Sequence, residues 1–78
     1  MSMWRDLDRA AEDAPLLSKW RHLKTNTEYV VTGHVLIEAT CTAAICYQHP
    51  YETPETVVWC RPAEEFFDGR FVRIGTPK

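Results

Sequence analysis

The sequence predicts a mainly β domain of the α+β class: a small, bent antiparallel sheet of five strands, or an SH3-like barrel, with an N-terminal helix. Three observations predict this fold. The chain of 78 residues is long enough for one compact core. Its β-branched and aromatic residues occur in short runs between turn residues. Helical spacing is clearest in the first residues. We therefore expect a single domain over 1–78, with a helical extension at 1–19 and a β-rich core at 20–74.

The N-terminal helix is predicted over residues 2–13. Ser2 can cap it, acidic residues follow in the first turns, and Pro15 marks its end. Its apolar side is expected to pack over the sheet, together with the two leucines after the helix, because a domain this small needs nearly all of its apolar surface buried. The residues assigned to this contact are Trp4, Leu7, Ala11, Leu16 and Leu17.

Strand signals recur through the rest of the chain and are strongest at 29–38, which is rich in β-branched residues. Both sides of that run are apolar near its start, and Gly33 lies where a bend or bulge would fit. The segment 49–54 contains two prolines and is predicted to be a loop. The five predicted strands are residues 20–22, 29–38, 43–47, 56–60 and 71–74.

Two short elements connect the last strands. Residues 63–67 are predicted to form one helical turn that brings Phe66 or Phe67 to the core. Asp68-Gly69 is the best short turn signal in the chain. A small antiparallel sheet with tight connections is the architecture that these signals favour.

Charge and hydropathy exclude several classes of function. The formal net charge of −2 and the isoelectric point of about 5.8 give no general attraction to nucleic acid, so we expect no direct nucleic-acid binding. The longest uncharged run, 39–51, has too many polar residues to supply the roughly 20 apolar residues of a membrane span. The acidic start is unlike a signal peptide, which predicts a cytoplasmic location. A homodimer is left open.

The acids are unevenly distributed. Five of them lie between residues 52 and 68, where Arg61 is the only base. This stretch predicts either a solvated face that maintains solubility or an interaction face for a basic partner. The acidic residues concerned are Glu52, Glu55, Glu64, Glu65 and Asp68.

Three segments together carry a family resemblance. Trp20-Arg21-His22 leads to Asn26 and Tyr29, Ile45-Cys46-Tyr47 follows, and Trp59-Cys60-Arg61-Pro62 precedes the Phe66 pair. In this order the segments resemble small bacterial and phage proteins of the domain-of-unknown-function 1653 family. The resemblance covers about residues 20–74, and Thr25 departs from it because the family has Gly before Asn. It implies a compact β-rich domain with no established activity.

Large amphipathic rings and cations adjoin one another in these segments. If the first four strands are neighbours, they can form an aromatic-Arg patch in which the rings stack on a ligand and the guanidiniums bind a carboxylate or phosphate. The competing interpretation is that the rings belong to the core and the Arg stems cover them. The residues of the predicted patch are Trp20, Arg21, His22, Tyr47, Trp59 and Arg61.

Metal binding and catalysis have weak support. Three histidines (His22, His34, His49) and three cysteines (Cys41, Cys46, Cys60) lack the spacing of a structural zinc site. The odd cysteine count predicts free thiols, and Cys46 and Cys60 are expected to be buried among apolar strand neighbours.

No nucleophile elbow or Gly-rich phosphate loop is present. Glu64 and Glu65 are adjacent but point apart on a helical turn, and Cys60 beside Arg61 is the only thiol candidate. We therefore expect no catalytic residue, no metal and no cofactor.

Three function classes follow from these observations. The first is a non-catalytic binding module whose aromatic-Arg patch takes a small anionic ligand or a protein partner. The second is a small phage-type or regulatory inhibitor whose acidic face blocks the basic, nucleic-acid-binding surface of another protein. The third is a zinc or thiol enzyme.

Overall fold

The structure is a computed structural model that describes residues 3–50 and 57–75. Two helices and one five-stranded sheet make up this part of the chain, which confirms the predicted mainly β fold. The order along the sheet is β4-β3-β2-β1-β5, and every neighbouring pair is antiparallel. The elements are α1 (Met3–Asp13), β1 (Lys19–His22), β2 (Thr27–Ile37), β3 (Thr42–Gln48), β4 (Trp59–Pro62), α2 (Ala63–Phe66) and β5 (Phe71–Gly75).

The sheet is strongly bent. Tyr47 on β3 and Phe71 on β5 have ring centroids 5.3 Å apart, although β2 and β1 lie between their strands. In a flat sheet, three strand spacings would separate them by about 14 Å. The bend brings the two edge strands toward each other, but no ladder joins β4 to β5 among the described residues. The bent sheet is therefore confirmed, and the closed-barrel alternative is wrong.

A bulge in β2 allows this long strand to keep one side in the core. The register between β2 and β3 shifts between Val31 and Gly33, which confirms the irregularity predicted at Gly33. Val31 is buried and Thr32 is exposed. Beyond the bulge His34 pairs with Ile45. A bulge adds one residue to one strand, so the alternation resumes with the same face toward the core.

The core lies between the concave face of the sheet and the two helices. Helix α1 packs on β2 and β3, and α2 packs on β3 and β4. The predicted single turn at 63–67 is confirmed, and Phe66 is fully buried whereas Phe67 is partly exposed. The buried cluster comprises Ala10, Ala14, Trp20, Val31, Ala43, Ile45, Tyr47, Phe66 and Phe71.

The predicted contact face of α1 is only partly right. Leu7 packs against the core, but Trp4 is 63% exposed. The buried positions are instead Ala10 in the helix and Ala14 directly after it, which lie on the same side as Leu7. Small residues let the helix approach the sheet closely, whereas an indole at the edge of this stripe would hold the helix away from it. The cap assigned to Ser2 lies outside the described residues.

The two leucines after the helix were also predicted wrongly, because both are exposed. Leu17 has φ of 70°, and its backbone N–H donates to the carbonyl oxygen of Val31 at 2.8 Å. The backbone of this connection therefore joins the sheet while the side chains of Leu16 and Leu17 face solvent. Ser18, which is fully buried, fills the adjoining space.

The fourth strand begins later than predicted. It covers Trp59–Pro62 rather than 56–60, and Val57 and Val58 are exposed residues before it. Pro62 pairs with Ala44 and does not stop the strand. Proline is tolerated there because β4 is an edge strand, where the missing N–H can face away from the ladder. Arg61 consequently lies within the strand, and its side chain is on the same side as that of Trp59.

Candidate ligand-binding cleft

A small cleft opens on the concave side of the sheet where β4 and β5 approach each other. Its volume is about 150 Å³. Four of the six residues of the predicted patch line it, together with three residues that sequence reasoning did not assign to the patch. The lining residues are His22, Thr25, Tyr29, Tyr47, Trp59, Arg61 and Phe71.

Strand alternation places these side chains together. Trp59 and Arg61 are two residues apart on β4, so they share one face. In the β3–β4 register, Trp59 lies opposite Tyr47. At the other edge of the sheet, Phe71 lies opposite His22. The bend then brings the β4 pair and the β5 ring onto opposite walls of one cleft.

Arg61 is the cation of the cleft and is held on three sides. Its Nε donates to Tyr47 Oη at 3.5 Å, and its Nη1 donates to Glu65 Oε1 at 3.3 Å. Its guanidinium carbon lies 5.8 Å from the Phe71 ring centroid, a cation–π distance. The bond to Tyr47 raises the pKa of Arg61 above its ordinary value, so the group is positively charged at any relevant pH. A guanidinium has five N–H donors, and three are left without a partner among the described residues.

The walls of the cleft are aromatic, and one of them is partly exposed. Tyr29 and Tyr47 pack edge to face with centroids 5.0 Å apart, and Tyr29 lies 6.2 Å from Phe71. Trp59 is 52% exposed and forms the outer rim. Tyr47 is buried, and its hydroxyl accepts the bond from Arg61. Such walls supply stacking area, and the hydroxyl groups and the cation supply orientation.

His22 is fixed at the other end of the cleft. Its Nδ1 is 2.9 Å from Thr25 Oγ1, and its ring centroid is 4.9 Å from that of Phe71. The β1–β2 turn thus contributes one hydroxyl that orients the imidazole.

Two residues of the predicted patch lie elsewhere. Trp20 is buried in the core, where its ring meets Phe66 at 4.9 Å and its Nε1 donates to Ser18 Oγ at 3.0 Å. Arg21 lies on the opposite face of the sheet, where its Nη2 is 3.8 Å from Glu28 Oε1. Consecutive residues of a strand point to opposite faces, so Trp20-Arg21-His22 cannot all join one patch.

The cleft also includes Thr25, Tyr29 and Phe71. Tyr29 is a large amphipathic ring in the sequence segment that begins at Trp20, and this residue type is the signal by which the sequence could have assigned it to the cleft. Phe71 and Thr25 had no local signal, because they reach the site only through the bend of the sheet and the turn geometry.

Two acids of the predicted acidic face, Glu65 and Asp68, form ion pairs with cations in the described part of the chain. Arg70 Nε is 3.0 Å from Asp68 Oδ2, and Arg70 Nη1 is 3.5 Å from Glu65 Oε1. Glu65 also pairs with Arg61. Two of the predicted acids are therefore partly neutralised by cations, and Glu52 and Glu55 lie outside the described residues.

Glu64 borders a second, larger groove of about 340 Å³ between α1 and α2. Its floor includes Ala10, Ala43 and Phe67, and its charged rim consists of Asp6, Arg9, Asp13 and Glu64. The rim carries three acids against one base. An apolar floor with an acidic rim suits an apolar group that carries positive charge beside it.

The histidines and cysteines do not converge on a metal site. Over residues 3–50 and 57–75, no group of three His, Cys, Asp or Glu side chains is placed to hold an ion. His34 bonds through Nε2 to the carbonyl oxygen of Ala14 and so fastens the end of α1 to β2. The three cysteines are free thiols, and Cys60 is exposed. Its predicted burial is wrong because β4 is an edge strand whose convex side has no covering element in this part of the chain.

Comparison with known proteins gives no family or function for this chain. No family model, curated protein or solved structure matches this chain. The resemblance to the domain-of-unknown-function 1653 family accordingly stays a prediction. Within the described ranges, neither helix is long and apolar enough to cross a membrane.

Proposed function

We propose that this chain is a non-catalytic binding module whose cleft takes the anionic group of a small ligand or of a partner protein. The observation that carries the proposal is the fixed guanidinium of Arg61 inside an aromatic cleft. Tyr47, Glu65 and Phe71 hold it in place. Because the side chain is already ordered, little further rotamer entropy is lost when an anion binds.

The size of the cleft limits the ligand. Its volume of about 150 Å³ is below the roughly 300–1,000 Å³ of sites for drug-sized ligands. It is comparable to a cavity that holds one benzene ring. The proposed ligand is therefore a small carboxylic acid, or one Asp, Glu or C-terminal carboxylate of a partner, with at most one ring to stack on Trp59.

Glu65 moderates the charge of the site. It shares Arg61 with any incoming carboxylate and lies within salt-bridge distance of Arg70 as well. This pairing lowers the cost of keeping Arg61 half-buried in the absence of ligand, but it also reduces the attraction for a second anion. We therefore expect modest affinity for a bare anion and a larger contribution from the aromatic walls.

The proposal is tested with benzoate and its neutral isostere benzamide as probes, by titration followed with two-dimensional NMR. Benzoate should shift the Trp59 indole and the His22 and Tyr47 signals in a saturable manner, and benzamide should not. Arg61→Ala should weaken benzoate binding by roughly ten- to a hundred-fold, because a lost charge-assisted contact costs about 1.5–3 kcal/mol.

Arg21→Ala is the matched control. It removes an identical charge from the opposite face of the same sheet and should leave benzoate binding unchanged. Equal weakening by both substitutions would indicate a general charge effect and would contradict the proposal. A folded Arg61→Ala protein that binds benzoate as wild type does would contradict it as well.

A second candidate function uses the groove between the helices. Its three acids and apolar floor favour binding of a basic segment of a partner protein. A protein that covers such a segment could act as an inhibitor of the partner's nucleic-acid-binding surface. Lys-Trp-Lys amide serves as the probe and Glu-Trp-Glu amide as its control. Binding of the first alone, lost on Asp6→Asn with Asp13→Asn and weakened by salt, would favour this candidate.

A further inference from the structure

Two thiols meet on the convex face of the sheet, away from the cleft and the helices. Cys46 on β3 and Cys60 on β4 are direct partners in the antiparallel register. Their Sγ atoms are 2.7 Å apart. Directly opposed residues in antiparallel strands have Cα atoms about 4.5–5.5 Å apart, which lies inside the range of about 4.4–6.8 Å that a disulfide spans. The backbone is thus already placed for a bond between the two sulfur atoms.

The two thiols differ in accessibility. Cys46 is buried on β3, the strand next to the edge, and Cys60 is exposed on the edge strand β4. Burial raises the pKa of Cys46 to about 12, and the contact with Cys60 adds to this shift. Cys60 is therefore the sulfur that a reagent from solvent reaches first, and Cys46 is placed behind it to complete a second step.

The contact also differs from ordinary apolar packing of cysteine. A structural cysteine is usually buried as a small hydrophobic group, but Cys60 is open to solvent. Cys41 provides the contrast within this chain. It is exposed in the β2–β3 turn, and its thiol lies 3.6 Å from the carbonyl oxygen of Glu38.

We propose that Cys46 and Cys60 form a site of reversible thiol–disulfide exchange with low-molecular-weight disulfides of the glutathione type. In the first step Cys60 gives its proton to solvent and its thiolate attacks one sulfur of the small disulfide, which breaks that S–S bond and gives a mixed disulfide on Cys60. The expelled half leaves as a thiolate and takes up a proton to become one small thiol. In the second step the Cys46 thiol gives its proton to solvent and attacks Cys60 Sγ, which releases the second small thiol. Two protein thiols are oxidised to one disulfide, and one small disulfide is reduced to two thiols.

The bond would change one edge of the sheet. Cys60 lies between Trp59 and Arg61 on β4, and those two side chains belong to the cleft on the other face. A disulfide would join β4 to β3 at the second of the four residues of β4. It closes a chain segment with a sequence separation of 14 residues, so the oxidised protein should unfold at higher urea concentration than the reduced one.

The test uses the full chain, equilibrated with glutathione disulfide and analysed by intact mass and peptide mapping. Cys41→Ser should lose two hydrogen atoms in mass and form the Cys46–Cys60 linkage. Wild type should form the same linkage, and its exposed Cys41 can carry a separate glutathione. Cys46→Ser should instead accumulate a mixed disulfide with glutathione on Cys60, because the second step is removed. Added dithiothreitol should reverse each product.

Three results would overturn the proposal. One is a wild-type protein in which Cys60 keeps its glutathione, and another is a protein in which Cys41 pairs with Cys46 or Cys60. The third is a wild-type protein that stays reduced while Cys60 reacts fully with a thiol-blocking reagent in the native state. Cys60→Ser complements the Cys46→Ser variant. It lacks the thiol that reacts first, so it should remain monomeric and form no intramolecular disulfide under the same conditions.

Discussion

At the scale of single residues, two hairpin loops end in a left-handed residue but use different side chains there. The β1–β2 turn follows the His22–Thr27 pair, and the β2–β3 turn follows the Ile37–Thr42 pair. Each encloses a four-residue loop whose last residue is left-handed: Asn26 has φ of 56° and Cys41 has φ of 54°. Asn is several-fold enriched in this region relative to other residues that have a Cβ.

We therefore expect Cys41→Asn to stabilise the protein by about 0.5–1 kcal/mol, since it reduces the cost of the left-handed conformation. Thermal unfolding should then shift upward by a few degrees. The reciprocal variant Asn26→Cys should lower the midpoint by a similar amount. Shifts of the same sign in both variants would show that the turn conformation is not the cause.

A second residue-scale effect concerns the pKa of Cys46, which is raised from its ordinary value of 9.0 to about 12 by burial and by the contact with Cys60. Above pH 9 the unfolded chain loses this proton first, so the folded state is favoured less as pH rises. Below pH 9 the Cys46 thiol is protonated in both states and does not reduce the free energy of unfolding. Between pH 9 and about 12 the free energy of unfolding falls, because only the unfolded chain has lost this proton. The slope is at most about 1.4 kcal/mol per pH unit.

Urea unfolding of the reduced protein near pH 8 and near pH 10 measures this effect. Wild type should lose more free energy of unfolding over this interval than Cys46→Ala does. The lysines and tyrosines are common to both proteins, so their contributions cancel in the comparison. Identical losses would mean that the Cys46 thiol titrates normally in the folded state.

At the scale of elements, the helix α1 depends on small residues for its contact with the sheet. Ala10 and Ala14 are buried against β2 and β3, whereas Trp4 points to solvent. His34 adds a polar attachment at the end of the helix. Because the helix lies close to the sheet, a larger side chain at Ala10 should lower stability more than a smaller side chain at Trp4 does.

Ala10→Leu should accordingly destabilise the protein by about 1–3 kcal/mol, because overpacking forces the helix from the sheet. Trp4→Ala should change stability by less than about 0.5 kcal/mol. Chemical denaturation of both variants measures the difference. A larger loss for Trp4→Ala than for Ala10→Leu would restore the contact face predicted from the sequence.

The elements themselves could be predicted from the sequence because propensity, turn residues and the bulge at Gly33 are local properties. Most boundaries differ by one or two residues. The fourth strand could not be placed, since Pro62 is acceptable only on an edge strand and strand order is a tertiary property. Only part of the cleft could be predicted, again because its remainder depends on tertiary structure. Strand alternation places Trp59 and Arg61 on one face, whereas Phe71 reaches them only through the bend of the sheet.

At the scale of the whole molecule, the Phe66 ring packs in the concave face of the bent sheet and contacts strands on both sides of the bend. Its ring stacks on Phe71 at 4.4 Å and meets Trp20 at 4.9 Å and Tyr47 at 5.6 Å. These three rings come from β5, β1 and β3, so α2 joins strands from both halves of the sheet. Two of the partners, Tyr47 and Phe71, are also walls of the cleft. Core packing and cleft shape are therefore coupled through one side chain.

Phe66→Ala should cost about 3–5 kcal/mol, a large part of the roughly 4–12 kcal/mol that a domain of this size has. Phe66→Leu keeps most of the volume and should leave a folded protein with a lower midpoint. In that variant the Tyr47 and Phe71 rings lose a stacked partner, so benzoate binding should weaken although Arg61 is intact. Phe67→Ala is the matched control, because the neighbouring ring is partly exposed and lines the other groove. If Phe66→Leu loses stability but binds benzoate as wild type does, the cleft is shaped by its strands alone and not by the core beneath it.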